Sequence, residues 1–135
     1  MKKLMILAAV LGFVGCTDPD TDPKKLYANE WQLQRVEIND KDVKLPAEAP
    51  VLNFTDSLTI NGKGGCNLFF GVYKADNKGT ITVEPQGMTK MMCPDAEFED
   101  QYIKALGQVN EFEFDKDYLE LENEPLDIVL VYRKK

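Results

Sequence analysis

The chain has no histidine, a single serine (Ser57) and only two arginines (Arg35 and Arg133). Nucleophilic catalysis needs a base beside the nucleophile, so the missing imidazole excludes Ser–His and Cys–His arrangements. It also removes the commonest nitrogen ligand for zinc, and no metal or other cofactor is expected. Paired carboxylates are arithmetically available among 23 acidic residues. They require a cleft that a domain of this size is poorly able to enclose, and a non-enzymatic protein is expected. With two arginines and no basic stripe between aromatics, the chain is a poor partner for nucleic acid. Long apolar runs are absent too: Leu4 to Val14 spans eleven residues, well short of the roughly 20 needed to cross a bilayer.

That short run follows Lys2 and Lys3 and has the length of a signal-peptide core. It ends in Phe13-Val14-Gly15-Cys16. A small residue followed at once by cysteine resembles a bacterial lipoprotein cleavage site, although Phe13 and Val14 stand where Leu and Ala or Ser are usual. Residues 1–15 are expected to be a signal peptide and Cys16 the lipidated N-terminus, which would hold the protein to a membrane through its acyl chains. The alternatives are an ordinary secretory signal or an uncleaved apolar anchor. Loss of Lys2 and Lys3 would move the formal charge from −7 to −9, which favours solubility over adhesion to anionic headgroups.

Residues 16–25, with the sequence TDPDTDPKK after Cys16, are polar and proline-broken and read as a flexible acidic tether. Asp18, Asp20 and Asp22 are either a solvated spacer or a sorting signal of the kind that directs lipoproteins to the cell surface. The expected location is the cell envelope, at the outer membrane, facing the periplasm or the exterior.

From Trp31 onward the chain alternates with a period of two. Trp31, Leu33 and Arg35 share one face of a first strand, with Gln32, Gln34 and Val36 on the other. Leu52 with Phe54, Leu58 with Ile60, Leu68 to Tyr73, and Ile81 with Val83 continue the pattern. Phe112 with Phe114, Leu119 with Leu121, and Ile128, Leu130 and Tyr132 complete it. Turn residues separate these segments at Asn39-Asp40, Thr55-Asp56, Asn77-Lys78-Gly79, Asp115-Lys116-Asp117 and Asn123-Glu124-Pro125. One segment differs: Phe98, Tyr102, Leu106 and Val109 recur at helical spacing after Pro94, acids crowd the first turn, and Gly107 supplies a stop. The expected fold is α+β, mainly β: one domain over residues 26–135, a small antiparallel curled sheet or barrel-like meander with one helix packed on it. A monomer is expected.

Two runs stand out, NGKGGCNLFFGVY from Asn61 to Tyr73 and MTKMMCP from Met88 to Pro94. Gly62, Gly64 and Gly65 permit positive φ and close backbone approach, so the chain can bulge between strands and bring Cys66 inward. A phosphate cradle is disfavoured, because no Gly-Lys-Ser/Thr and no helix follow the glycines. In an exported protein Cys66 and Cys93 are the only cysteines of the folded domain, and a disulfide between them is expected. The alternative is two buried free thiols; a zinc site is weaker still.

GKGGCNLFFGVY, followed by MTKMMC and then EFEDQYIKAL, closely resembles the META domain, the fold of the heat-shock protein HslJ-like lipoproteins, over Trp31 to Tyr132. The resemblance implies a small β-rich domain with one helix in the bacterial envelope, associated with stress tolerance and sometimes with secretion or motility, and no catalytic residues. Asn67 falls on the family motif; a side chain capping the amides of the bulge is favoured over a ligand contact. Gly64, Gly65 and Asn67 form the candidate binding loop. A protein partner is expected. A second reading is inhibition of an exported protease, with the loop Gly62 to Asn67 or the turn Asp115 to Asp117 as the inserting element.

Overall fold

The computed structural model describes residues 19–135, so the signal segment, Cys16 and Asp18 lie outside the described residues. Beyond a 3-10 helix at Pro23–Ala28, the elements are β1 (Trp31–Ile38), β2 (Lys41–Val43), β3 (Val51–Phe54), β4 (Thr59–Lys63), β5 (Leu68–Ala75) and β6 (Ile81–Met88), then helix α1 (Ala96–Leu106), then β7 (Glu111–Asp115), β8 (Tyr118–Asn123) and β9 (Ile128–Lys134). All pairings are antiparallel, in the order β6-β5-β4-β3-β1-β9-β8-β7, with β2 also paired to β1. The mainly-β expectation with a single α-helix therefore holds among the described residues.

Alternation decides the curl. One side chain in two points to a common interior, where Trp31, Leu52, Phe69, Leu121, Leu130 and Tyr132 are buried. The sheet rolls until β6 and β7 meet at one end through a bridge between Thr80 and Glu111. Bonds from Ile81 N–H to the Asn110 carbonyl (3.2 Å) and from Phe112 N–H to the Gly79 carbonyl (2.9 Å) close that end. Helix α1 connects these two strands in the chain and turns Tyr102, Ala105 and Leu106 into the core. Gly107 ends it in right-handed conformation, φ −76°, its amide bonded back to the Ile103 carbonyl.

Three local features differ from the sequence pattern. In β1 a bulge between Leu33 and Arg35 shifts the register against β9, so Val36 turns inward and Arg35 outward to pair with Asp42 and Glu37. Leu58, expected on the strand face with Ile60, sits in the β3–β4 turn at φ 67° and is half-exposed. Residues 19–25, expected to belong to a free tether, lie against the sheet from Asp20 on. The Asp20 carbonyl accepts from Phe114 N–H at 2.9 Å, and Thr21 Oγ1 donates to the Asn77 carbonyl at 2.8 Å. Asp22 caps the 3-10 helix by accepting from Lys24 N–H, and Lys25 pairs with Asp20. That helix buries Leu26, whose carbonyl takes the Trp31 indole N–H at 2.9 Å. Short polar side chains that read as spacer thus serve as caps and bridges.

Candidate functional site

The glycine loop joins β4 to β5 and its geometry follows from crowding. A Cβ on Gly62 would stand 2.1 Å from the Val51 carbonyl oxygen, and Gly65 takes φ +118°; both positions require glycine. The turn presents the amides of Cys66 and Asn67 to one oxygen of Glu99 on α1, each at 2.6 Å. The second Glu99 oxygen accepts from Asn67 Nδ2 at 2.8 Å. Three N–H groups thus converge on a carboxylate only 1% exposed, the charge-assisted bonding that a buried anion needs.

Asn67 looks the other way as well. Its Oδ1 accepts from Met91 N–H at 2.7 Å and from Thr89 Oγ1 at 2.9 Å. One carboxamide therefore ties the glycine loop, the Met88–Pro94 segment and α1 together. The Cys66–Cys93 disulfide, Cα atoms 6.3 Å apart, joins the same two segments covalently. The amides of the bulge are capped by Glu99 rather than by Asn67. Glu99 is one of the acids that crowd the first turn of the helix; its spacing of three and seven residues from Tyr102 and Leu106 puts it on the buried face.

The polar groups of this cluster are spent on one another, which makes it a clamp. Gly64 and Asn67 are buried and Gly65 packs toward Pro46, so the candidate loop offers little surface to a ligand. Ser57 lies in the exposed β3–β4 turn, where its amide bonds to Thr55 Oγ1. Among the described residues no three His, Cys, Asp or Glu side chains are grouped to hold a metal ion, and no helix is long and apolar enough to cross a membrane.

Other ionisable groups are tuned by the fold. Tyr102 and Tyr132 share a hydrogen bond of 2.7 Å in the core. Burial pushes both phenols well above their ordinary range. The Lys25 hydrogen bond holds the Asp20 carboxyl low, and the Thr80 and Lys78 amides do the same for Asp76, which shapes the β5–β6 turn.

The open surface lies on the outside of the sheet, where a groove of about 840 Å³ runs across β1, β3, β4, β5 and the end of β6. Gln32, Asn53 and Asn61 contribute amides, and Leu68, Phe70 and Met88 apolar walls. Leu68 and Phe70 are 55% and 56% exposed.

A model of the META domain matches residues 24–135, covering the sheet, the helix and both cysteine-bearing runs. The chain belongs to the META domain family. Solved structures share the fold of this META domain at low identity. A protein from Burkholderia xenovorans superposes with a TM-score of 0.71 at 20% identity, over 89% of this chain and 92% of that one. A DUF4847 family protein from Bacteroides vulgatus gives 0.64 at 15%, over 83% and 96%. A comparison with curated proteins finds no relative.

Proposed function

We propose that this META domain is a lipid-anchored, non-enzymatic protein of the bacterial cell envelope that acts through its outer surface, in the stress-tolerance or interaction role that the family resemblance implies. One observation carries the reading. The polar atoms of the family motif are spent on one another in the Asn67–Glu99 clamp, whereas the outer face of β5 leaves Leu68 and Phe70 exposed. A sheet that buries its motif and exposes an aromatic is built to be touched rather than to turn over substrate.

Cys16 is the proposed lipid attachment and the outer membrane the proposed site of residence. Fractionation tests this: Cys16→Ser should move the protein from membranes to the soluble fraction, and unchanged membrane association would remove the anchor from the account. Protease shaving of intact cells then separates surface display from a periplasmic orientation. Inhibition of an exported protease has less support. Most of the glycine loop is folded against α1, and the Lys116–Asp117 turn is a two-residue hairpin that Lys134 N–H holds through the Asp117 carbonyl.

A further inference from the structure

We propose that the outer groove is a binding platform for a neutral oligosaccharide. The inference rests on the reading of the protein as a surface-contact domain and names the chemistry of that contact. Its basis is a pair of cross-strand ladders. Asn53, Asn61, Phe70 and Gly87 are successive partners across β3, β4, β5 and β6, and Val51, Lys63 and Leu68 form the adjacent row. Side chains in such rows stand side by side on one face of the sheet.

The aromatic is held ready. A Cβ at Gly87 would fall 2.5 Å from the Phe70 ring, so the ring lies on β6 where glycine leaves room, and still exposes more than half of its surface. An apolar ring fixed against the backbone loses little entropy on receiving the C–H face of a sugar. Next to it, Asn53 Nδ2 donates to Asn61 Oδ1 at 3.3 Å. That bond leaves a carbonyl on Asn53 and an amino group on Asn61, an acceptor and donor pair matched to sugar hydroxyls, which both donate and accept.

Charge and topology narrow the ligand further. The charged side chains of the groove are paired, Lys63 with Glu48 at 3.4 Å and Lys135 with Glu30 at 3.7 Å. An anionic ligand meets no surplus of cations there, and a cationic one no surplus of acids. Each of β3, β4 and β5 is bonded to a strand on either side, so an extended peptide cannot join as a further strand over that part of the groove. Recognition is left to side chains, and the groove has the capacity of a small-molecule site, roughly 300–1,000 Å³.

Ligand-observed saturation-transfer NMR on the purified full chain tests the proposal, with maltotriose, cellotriose, xylotriose and tri-N-acetylchitotriose as probes. Saturable transfer is expected from at least one. Phe70→Ala should weaken it about tenfold or more, and Asn61→Ala by several-fold. Thermal unfolding verifies that both variants fold. Tyr118→Ala, which removes an exposed aromatic on β8, should leave binding unchanged. No transfer from any probe, or transfer that survives Phe70→Ala, overturns the platform. Because fractionation of Cys16→Ser reads anchoring alone, a membrane-bound protein that binds no sugar retires this inference without touching the envelope reading.

Discussion

Glu99 holds Asn67 by both its main-chain and side-chain nitrogens, at 2.6 and 2.8 Å, although the two residues are separated by 32 positions in the chain. The arrangement admits no substitute. In Glu99→Gln the amide oxygen can serve the two backbone N–H groups, but the new amino group then faces Asn67 Nδ2, donor against donor. Flipping Asn67 only transfers the conflict to Met91 N–H. The expected cost is about 2 kcal/mol, the penalty of one buried unsatisfied group. Urea unfolding measures it, and an unchanged midpoint would mean that the clamp contributes nothing.

The disulfide and Asn67 restrain the same segment by independent means. The crosslink closes a loop of 28 residues counted inclusively, worth about 3.6 kcal/mol on the chain-entropy model. Cys93→Ala is expected to lower stability by roughly 2–5 kcal/mol. Hydrogen exchange should show faster opening at Met91, whose amide donates to Asn67 Oδ1, with β8 and β9 still protected. Uniform acceleration across the whole sheet would show that the staple supports the entire fold instead.

Glycines that look alike in the sequence separate in space. Gly62→Ala drives a methyl group to 2.1 Å from the Val51 carbonyl, so β3 and β4 must part; a loss of about 3 kcal/mol is expected. At Gly64 the nearest atom is a Glu99 oxygen at 3.4 Å, ordinary contact, and Gly64→Ala should cost less than about 1 kcal/mol. Melting curves of the two variants that coincide would refute the distinction.

Much of this could be read from the chain, and the failures have identifiable causes. Alternation located the long strands because most have one wet and one dry face, although β9 buries Ile128, Val129 and Leu130 in succession, and GKGGCN with MTKMMC pointed to the family. The bulge at Leu33/Arg35 was hidden because it changes which residue faces inward without changing composition. Strand β2, three residues of which two are charged, is too short to show a period. Leu58 was misplaced because its position is set by a turn and not by its hydrophobicity. The Asn67–Glu99 contact and the groove draw on residues distant in sequence, and no local pattern carries such pairings.

Alkaline pH should unfold the protein through its buried phenols. Tyr102 and Tyr132 have folded pKa values raised by burial, above the unfolded value of about 10. Above that pH the unfolded chain releases these protons while the folded chain keeps them. Their contribution is therefore complete below about pH 10 and declines as pH rises, by up to about 1.4 kcal/mol per pH unit for each phenol. Tyr132→Phe should flatten the decline between about pH 10 and 12 in denaturant titrations. An equal slope in the variant would locate the alkaline transition elsewhere.

The docking of residues 19–25 also has a mechanical consequence. A pull exerted from the N-terminal side of Pro19 meets the Asp20–Phe114 and Thr21–Asn77 bonds first, one at a time, in the manner of peeling. The 3-10 helix and the Trp31–Leu26 bond come next. Residues 19–30 can so release about 40 Å of chain before tension reaches β1, which is held by neighbouring strands along both edges. Were the chain held from that side, sequential rupture of these weak bonds ahead of β1 would make the segment a shock absorber: drag on the domain would be spent in extending it while the sheet kept its shape.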